Sequence, residues 1–402
     1  MWFSFHSVDL CANVTPRFKR PESQKMKLFG PSLFLLLLLA VCVSCTTYYV
    51  SPFGDDNNSG LSQSSPLKTL QKATSVARYN QLLLMTGIYS GPGNVGISLD
   101  YPTPLTAQPN VVVTCRGSAA SYAFTITPST NTWSFSGFTI QDCPTAITVT
   151  NSGSSTVTLK TNGMIFKNNT VHVEPVHSVV SIINSTFVGG SYGVLQTKSV
   201  NGALSIVNST FSQINQNAVF AQNCPSAISI AGTSFRDSLS SALYISCPLN
   251  VDDILVSNVY ASSGAAILVN GTQKVIIKNS RFENNFASGA GGVINSGSSS
   301  SLTISGSVFD QNSALKGGAV YFQGPMSVTS TVFSGNQASA AGGGFFCSNS
   351  QSILNNVTFS NNVSPSGSAF FCSGCISYDT AVTFENNEAS CNIVNQGSVN
   401  LI

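Results

Sequence analysis

One aromatic residue returns at nearly constant intervals along most of this chain, and that recurrence restricts the fold more than any other feature. Phe or Tyr stands at 166, 187, 211, 235, 260, 282, 309, 333, 359 and 384, with spacings of 21, 24, 24, 25, 22, 27, 24, 26 and 25. Short polar/apolar alternations lead into these positions, as in SIINSTF, LSIVNSTF, KVIIKNSRF, LTISGSVF and ILNNVTF. Alternation over such a length marks a strand. An Asn often follows three residues later, at Asn169, Asn285, Asn312, Asn336, Asn362 and Asn387. A helical repeat would show an apolar period of about 3.6, and propeller blades run to about 40–45 residues. A coil of three short strands and three turns uses about 22–25 residues, which makes each repeat one turn of a β-solenoid. Parallel strands stack about 4.7–4.9 Å apart. Like residues should therefore meet in files: Phe166, Phe187, Phe211, Phe235, Tyr260 and their successors in the core, with Asn on Asn in a hydrogen-bonded ladder.

The cysteines carry the same register. Cys224 lies 13 residues after Phe211, and Cys247 lies 12 after Phe235. Cys347 lies 14 after Phe333, and Cys372 lies 13 after Phe359. One turn of the coil falls inside the roughly 4.4–6.8 Å Cα window of a disulfide. The spacing predicts Cys224–Cys247 and Cys347–Cys372. Cys115–Cys143 and Cys375–Cys391 are the leftover pairings, and stacked free thiols are the alternative throughout.

Export accounts for the remaining composition. Arg17, Lys19, Arg20, Lys25 and Lys27 precede an unbroken apolar run from Leu33 to Val43. Eleven residues suit a signal-peptide core and fall short of the roughly 20 of a membrane span. Ser44, Cys45 and Thr46 permit cleavage nearby. Met26 offers a second start, which makes residues 1–25 an extension. Eight cysteines beyond this region fit an oxidising compartment. Membrane attachment is expected only if the signal segment stays uncleaved. Charged residues are 8% of the chain, and past residue 45 there are twelve Lys or Arg and thirteen Asp or Glu. That balance offers no basic face for phosphates and excludes nucleic acid as a partner. Asn-x-Ser/Thr sequons at Asn57, Asn168, Asn184, Asn208, Asn270, Asn356 and Asn362 are expected glycosylation sites.

Two stretches resemble known families. The segment YYVSPFGDDNNSGLSQSSPLKTLQKATSVA (Tyr48–Ala77), followed by LLLMTGIYSG at 82–91, resembles the opening of pectin-lyase-like right-handed β-helix proteins. There the first piece is a strand, a turn and a short helix that caps the core. Leu67, Leu70, Ala73 and Ala77 would share one face of that helix. The later half resembles the repeats of polymorphic outer-membrane proteins, in which F-x-x-N is followed by G-G-A-I/V. Here FENN (282–285) precedes GGVI (291–294), FDQN (309–312) precedes GGAV (317–320), and FSGN (333–336) precedes GGGF (342–345). FSNN (359–362) with GSAF (367–370) and FENN (384–387) are decayed copies. The resemblance implies an all-β chain forming a single right-handed parallel β-helix of about 10–12 rungs with an N-terminal capping strand and helix. The organisation expected is an extension and signal peptide over 1–45, a cap and opening rung over 46–110, and repeats over 111–402. Surface adhesion is what the second family implies, although no barrel segment follows here.

The same chain offers few groups for catalysis. The pectin-lyase-like enzymes act on acidic polysaccharides with calcium-holding carboxylates and a base, or with clustered Asp beside Gly-His-Gly. Neither pattern occurs, and only His172 and His177 remain past the signal region. Asp252 and Asp253 are adjacent, so on a strand they would face opposite ways. Glu283 and Asp310 directly follow the file aromatics of consecutive rungs, near Lys278 and Arg281. They are the candidate catalytic pair, or with Asp55 and Asp56 candidate calcium ligands, although solvated turn residues explain all four. His172, Glu174 and His177 form a weaker metal candidate that Pro175 interrupts.

The reading is a secreted or cell-surface β-helix that binds extracellular carbohydrate or a surface protein without catalysis and needs no cofactor, calcium being the one metal considered. The alternative is a lyase, hydrolase or epimerase acting on acidic glycans. An uncovered last rung would also invite end-to-end self-association.

Overall fold

The structure is a computed structural model. It describes residues 46–401 apart from 128–130, 151–156, 198–201, 297–299, 349–350, 374–375, 389–392 and 396–397. The expected signal peptide over residues 1–45, and Cys375 and Cys391, lie outside the described residues. No helix among those described is long and apolar enough to cross a membrane.

Among the described residues all the long-range strand pairings are parallel, and they build three walls. The first wall stacks strands such as Ser178–Ile183, Leu204–Val207, Ile228–Ala231 and Leu249–Asp252. A two-residue corner leads to the second wall, whose strands include Thr186–Val188, Thr210–Ser212, Ser234–Arg236 and Arg281–Glu283. A longer turn then leads to the third wall, a sheet of thirteen strands in sequence order. Short strands from Tyr260–Ala261 to Gln337–Ala341 form a fourth, minor sheet within that longer turn. Strands this short arise because β-branched residues alternate with polar ones for only a few positions before an Asn or Gly breaks them.

Register confirms the stacking of like on like. One core file runs Ile140, Phe166, Phe187, Phe211, Phe235, Val256, Phe282, Phe309, Phe333, Phe359 and Phe384 through eleven turns. Phe166, Phe187, Phe211 and Phe235 stack with centroids 4.3–5.0 Å apart, and Phe282, Phe309 and Phe333 do so at 4.8–4.9 Å. Each fully buried ring is worth about 1.5–3 kcal/mol. The expectation for Tyr260 is corrected. Val256 fills the file between Phe235 and Phe282, while Tyr260 lies four residues on, paired with Phe286 and 55% exposed. A phenol there would bury its hydroxyl without a partner, whereas Val satisfies the core with no polar atom.

Two polar ladders run through the corners. Asn285, Asn312, Asn336, Asn362 and Asn387 form the first: each side-chain amide nitrogen donates to the next Asn Oδ1 at 3.0 Å. The same nitrogens donate to backbone carbonyls of the preceding turn, such as Asn312 to Phe282 O at 3.0 Å. The second ladder, at the other corner, uses hydroxyls. The N–H of Ser185 donates to Ser209 Oγ at 3.2 Å, and that of Ser209 to Thr233 Oγ1 at 3.3 Å. Ahead of each ladder residue, the corner itself takes positive φ, as at Asn184 (48°), Asn208 (49°) and Asn279 (47°) on one side and Asn284 (54°) and Asn361 (54°) on the other. Asn tolerates that conformation better than most residues. The Gly pairs serve the third-wall approach. Gly291, Gly317 and Gly342 have φ of 69°, 63° and 71°, and a Cβ on Gly292, Gly318 or Gly343 would collide with the carbonyl of the next turn.

Among the described residues, three disulfides join adjacent turns: Cys115–Cys143, Cys224–Cys247 and Cys347–Cys372, with Cα separations of 4.8, 5.3 and 4.8 Å. They fit an oxidising, extracellular environment. At the N-terminal end, strand Thr47–Val50 and helix α1 (Leu70–Val76) lie over the first turns, and Leu67, Leu70, Ala73 and Ala77 are buried. Thr69 caps α1, accepting the Lys72 N–H at 3.2 Å.

Candidate binding surface

The file that follows the core aromatics faces outward on the second wall. Arg236, Ser257, Glu283 and Asp310 occupy it in successive turns. Glu283 and Asp310 stand opposite each other in register, as the sequence implies. Arg281, one position ahead of Phe282, bridges them: its Nε lies 2.6 Å from Glu283 Oε2 and its Nη2 lies 3.3 Å from Asp310 Oδ2. All three side chains are partly exposed. The cation removes the like-charge cost of paired carboxylates, and water screens what remains. Both carboxylates thus accept charge-assisted hydrogen bonds from one guanidinium. Lys278 stands elsewhere, on the first wall opposite Asp252.

On one side of this wall the corner opens into a groove of about 470 Å³. It spans four turns, from Asn208 through Gly232 and Asp253 to Asn279, with Thr210, Ser234, Leu255 and Arg281 along its side. Gly232 makes room for the Asn208 carboxamide at one end of the groove. Where its neighbours in the file carry side chains it has none, and a Cβ there would strike the Asn208 carboxamide.

Across the other corner lies an exposed apolar strip. Leu239, Tyr260 and Phe286 sit at equivalent places in three successive turns and are 68%, 55% and 42% exposed. The Tyr260 and Phe286 rings are tilted by 42° with centroids 6.3 Å apart. Their faces therefore remain open. The third wall also carries outward rings, but Phe220 with Tyr244, and Tyr321 with Phe346 and Phe371, stack face to face at 4.7–5.2 Å. Those rings cover one another and present mainly edges.

The other predicted ligands do not converge. Asp56 accepts the Lys68 and Thr69 N–H groups, each at 2.9 Å, and the Thr69 hydroxyl at 2.8 Å, so it holds the start of α1. Burial raises its pKa, but those hydrogen bonds and the charge of Lys72 outweigh the effect and leave it lowered. Asp55 accepts from Asn57 in an Asx turn. His172 points inward and is fully buried, with Nδ1 2.9 Å from Asn169 Nδ2 and Nε2 2.8 Å from Gly189 O. An amide donor at Nδ1 and a carbonyl at Nε2 fix the neutral Nε2–H tautomer. Burial lowers its pKa to about 4, against a smaller raising effect of the Gly189 hydrogen bond. Glu174 lies in an outward file of the third wall, and His177 is a positive-φ residue. Among the described residues no three His, Cys, Asp or Glu side chains come together. Asp252 and Asp253 are both exposed, because Asp253 is a corner residue rather than a strand neighbour.

The sequons divide by position. Asn168, Asn184, Asn208 and Asn356 are exposed corner residues at positive φ, and Asn57 and Asn270 are exposed turn residues. Asn362 is corrected: it is buried in the amide ladder, its nitrogen donating to Phe333 O and Asn387 Oδ1, with no space for a sugar. Sequence reasoning missed the open strip, the groove and the hydroxyl ladder. The N-S-T-F phrase carried the last of these, since it places an Asn at the corner, a Ser in the ladder and Phe in the core.

This geometry defines a right-handed parallel β-helix. Residues 192–389 match the family described as right handed beta helix region. Among solved structures, pectate lyase Pel9A is 18% identical over 82% of this chain and 78% of its own, with a TM-score of 0.29. XylC in complex with xylose is 9% identical over 85% and 86%, with a TM-score of 0.38. The A-module of mannuronan C-5 epimerase AlgE6 from Azotobacter vinelandii is 10% identical over 82% and 91%, with a TM-score of 0.31. No curated protein matches the sequence.

Proposed function

We propose that this chain is a non-catalytic binding module of an exported or surface-held protein, which engages extracellular carbohydrate or a surface protein through its side walls. The observation that carries the reading is the open strip of Leu239, Tyr260 and Phe286. Exposed aromatic faces beside amides and charged groups suit the apolar face of a sugar, or the anchor residues of a protein partner. Asn258 and Asn284 line the corner next to the strip, and the Arg281 cluster lies just beyond. Binding of immobilised glycans and of cell surfaces to wild type and to Tyr260→Ala/Phe286→Ala tests it. Loss of binding in the double variant is expected; equal binding by both proteins refutes the role of the strip.

The alternative, a polysaccharide lyase, hydrolase or epimerase, draws on the register of Glu283 with Asp310 in consecutive turns. Incubation with pectate and alginate, with and without calcium, separates the two. New unsaturated or reducing ends, or a changed uronate composition, abolished by Glu283→Ala would establish the enzyme.

A further inference from the structure

We infer that the groove beside the second wall is the seat of the chain's own N-linked oligosaccharide, attached at Asn208. The inference rests on the reading of the protein as exported. Asn208 carries the sequon Asn208-Ser209-Thr210, is exposed, and forms one end of the groove. Its carboxamide lies over Gly232, where a Cβ would collide with Oδ1, and from there the groove continues toward Asn279 and Arg281. Its length is three inter-turn steps, about 14 Å, and a sugar unit is about as long as one turn is high. Its volume falls in the range of roughly 300–1,000 Å³ typical of small-molecule sites.

The lining suits an uncharged glycan. Hydroxyls of Thr210 and Ser234 and the Asn279 carboxamide offer hydrogen bonds, and Leu255 offers an apolar surface. Charge selects against an acidic one. Arg281 is the one cation among the lining residues, and it is held by Glu283 and Asp310, while Asp253 adds a third carboxylate. A second corner sequon, Asn356, supplies the contrast. In the following turn it meets Ala381 rather than a glycine, and it does not line this groove. Attachment precedes folding: the bond from the first sugar to the lipid pyrophosphate donor breaks, a bond from its C1 to Asn208 Nδ2 forms, and the amide proton leaves.

The test uses the full chain secreted from a glycosylating eukaryotic cell. Native protein is treated with a peptide N-glycosidase for increasing times, and occupancy at each Asn is followed by peptide mass spectrometry. The expected result is release from Asn208 at least fivefold slower than from Asn356, with Arg281→Ala or Leu255→Ser raising the Asn208 rate and leaving that of Asn356 unchanged. An unchanged Asn356 rate also reports an intact fold. Equal rates at the two sites, no response to either variant, or an empty Asn208 beside filled neighbours overturns the inference. An absence of sugar at every sequon overturns it together with the exported reading.

Discussion

Truncating Asn312 to Ala removes the middle of the amide ladder, and its cost follows from four hydrogen bonds. The Asn312 nitrogen donates to Phe282 O and to Asn336 Oδ1, both at 3.0 Å. Its Oδ1 accepts the backbone N–H and the side-chain nitrogen of Asn285, both at 3.0 Å. Some partners keep another contact: Asn336 Oδ1 still receives the residue 312 N–H at 3.1 Å, and Asn285 Nδ2 still reaches Val256 O at 3.0 Å. The buried Asn285 N–H loses its acceptor. An orphaned buried donor costs about 1–3 kcal/mol and each of the other three lost bonds about 0.5–1.5 kcal/mol, for a total of about 2.5–7.5 kcal/mol. In a solenoid each turn leans only on its neighbours, so the loss should be local. Hydrogen exchange read by mass spectrometry should show peptides covering 282–336 exchanging faster, while those covering 180–211 hold. A urea midpoint read alongside gives the global effect. A loss below about 1 kcal/mol, no larger than for an ordinary surface substitution, or faster exchange spread evenly along the coil, would refute the ladder as a source of stability.

Three further outcomes are expected. Phe309→Ala should cost about 3–5 kcal/mol by urea denaturation, whereas Tyr260→Ala should cost under about 1 kcal/mol; the opposite order would restore Tyr260 to the core file. His172 is held neutral with a pKa near 4 against an unfolded value of 6.5, so the unfolded chain binds more protons between these limits. Its contribution to stability is therefore complete above about pH 6.5 and falls by about 3 kcal/mol as pH drops to 4, and the urea midpoint of His172→Gln should lose that component of the pH dependence; identical slopes for both proteins would contradict it. Cys347→Ser/Cys372→Ser opens a loop whose cysteines are 25 residues apart, and the thermal midpoint should fall by an amount corresponding to about 3 kcal/mol; an unchanged midpoint with two fewer cysteines in disulfide form would count against the cross-link.

The solenoid was legible because its periodicity is enforced by backbone pairing. Phe282, Phe309 and Phe333 are read as a file from spacing alone, and so are the Asn residues three positions later. Cys224–Cys247 and Cys347–Cys372 followed from the same arithmetic, whereas Cys115–Cys143 was reached only as a leftover pairing. Tyr260 shows where the arithmetic fails. A turn of the coil tolerates length changes in its longest loop, so an aromatic four residues out of phase still fits the average spacing, and only the strand register reveals Val256 in its place. The surface was less legible for a related reason. Glu283 and Asp310 could be placed side by side, but the reach of Arg281 across two turns depends on side-chain rotamers. The groove is lined by residues of four separate turns, and no contiguous motif spells it. Sequons are equally ambiguous, since the positive φ of a corner and the hydroxyl of a ladder both select the residues that spell one.

The direct superposition of one turn on the next also means that length is not a fixed property of this architecture. Excising a whole coil bounded by two equivalent corners would leave the coils on either side facing partners of the same kind as before. Such a chain can lengthen or shorten in units of one circuit, and a ligand site placed on one circuit moves nearer to or farther from another by steps of a single strand spacing.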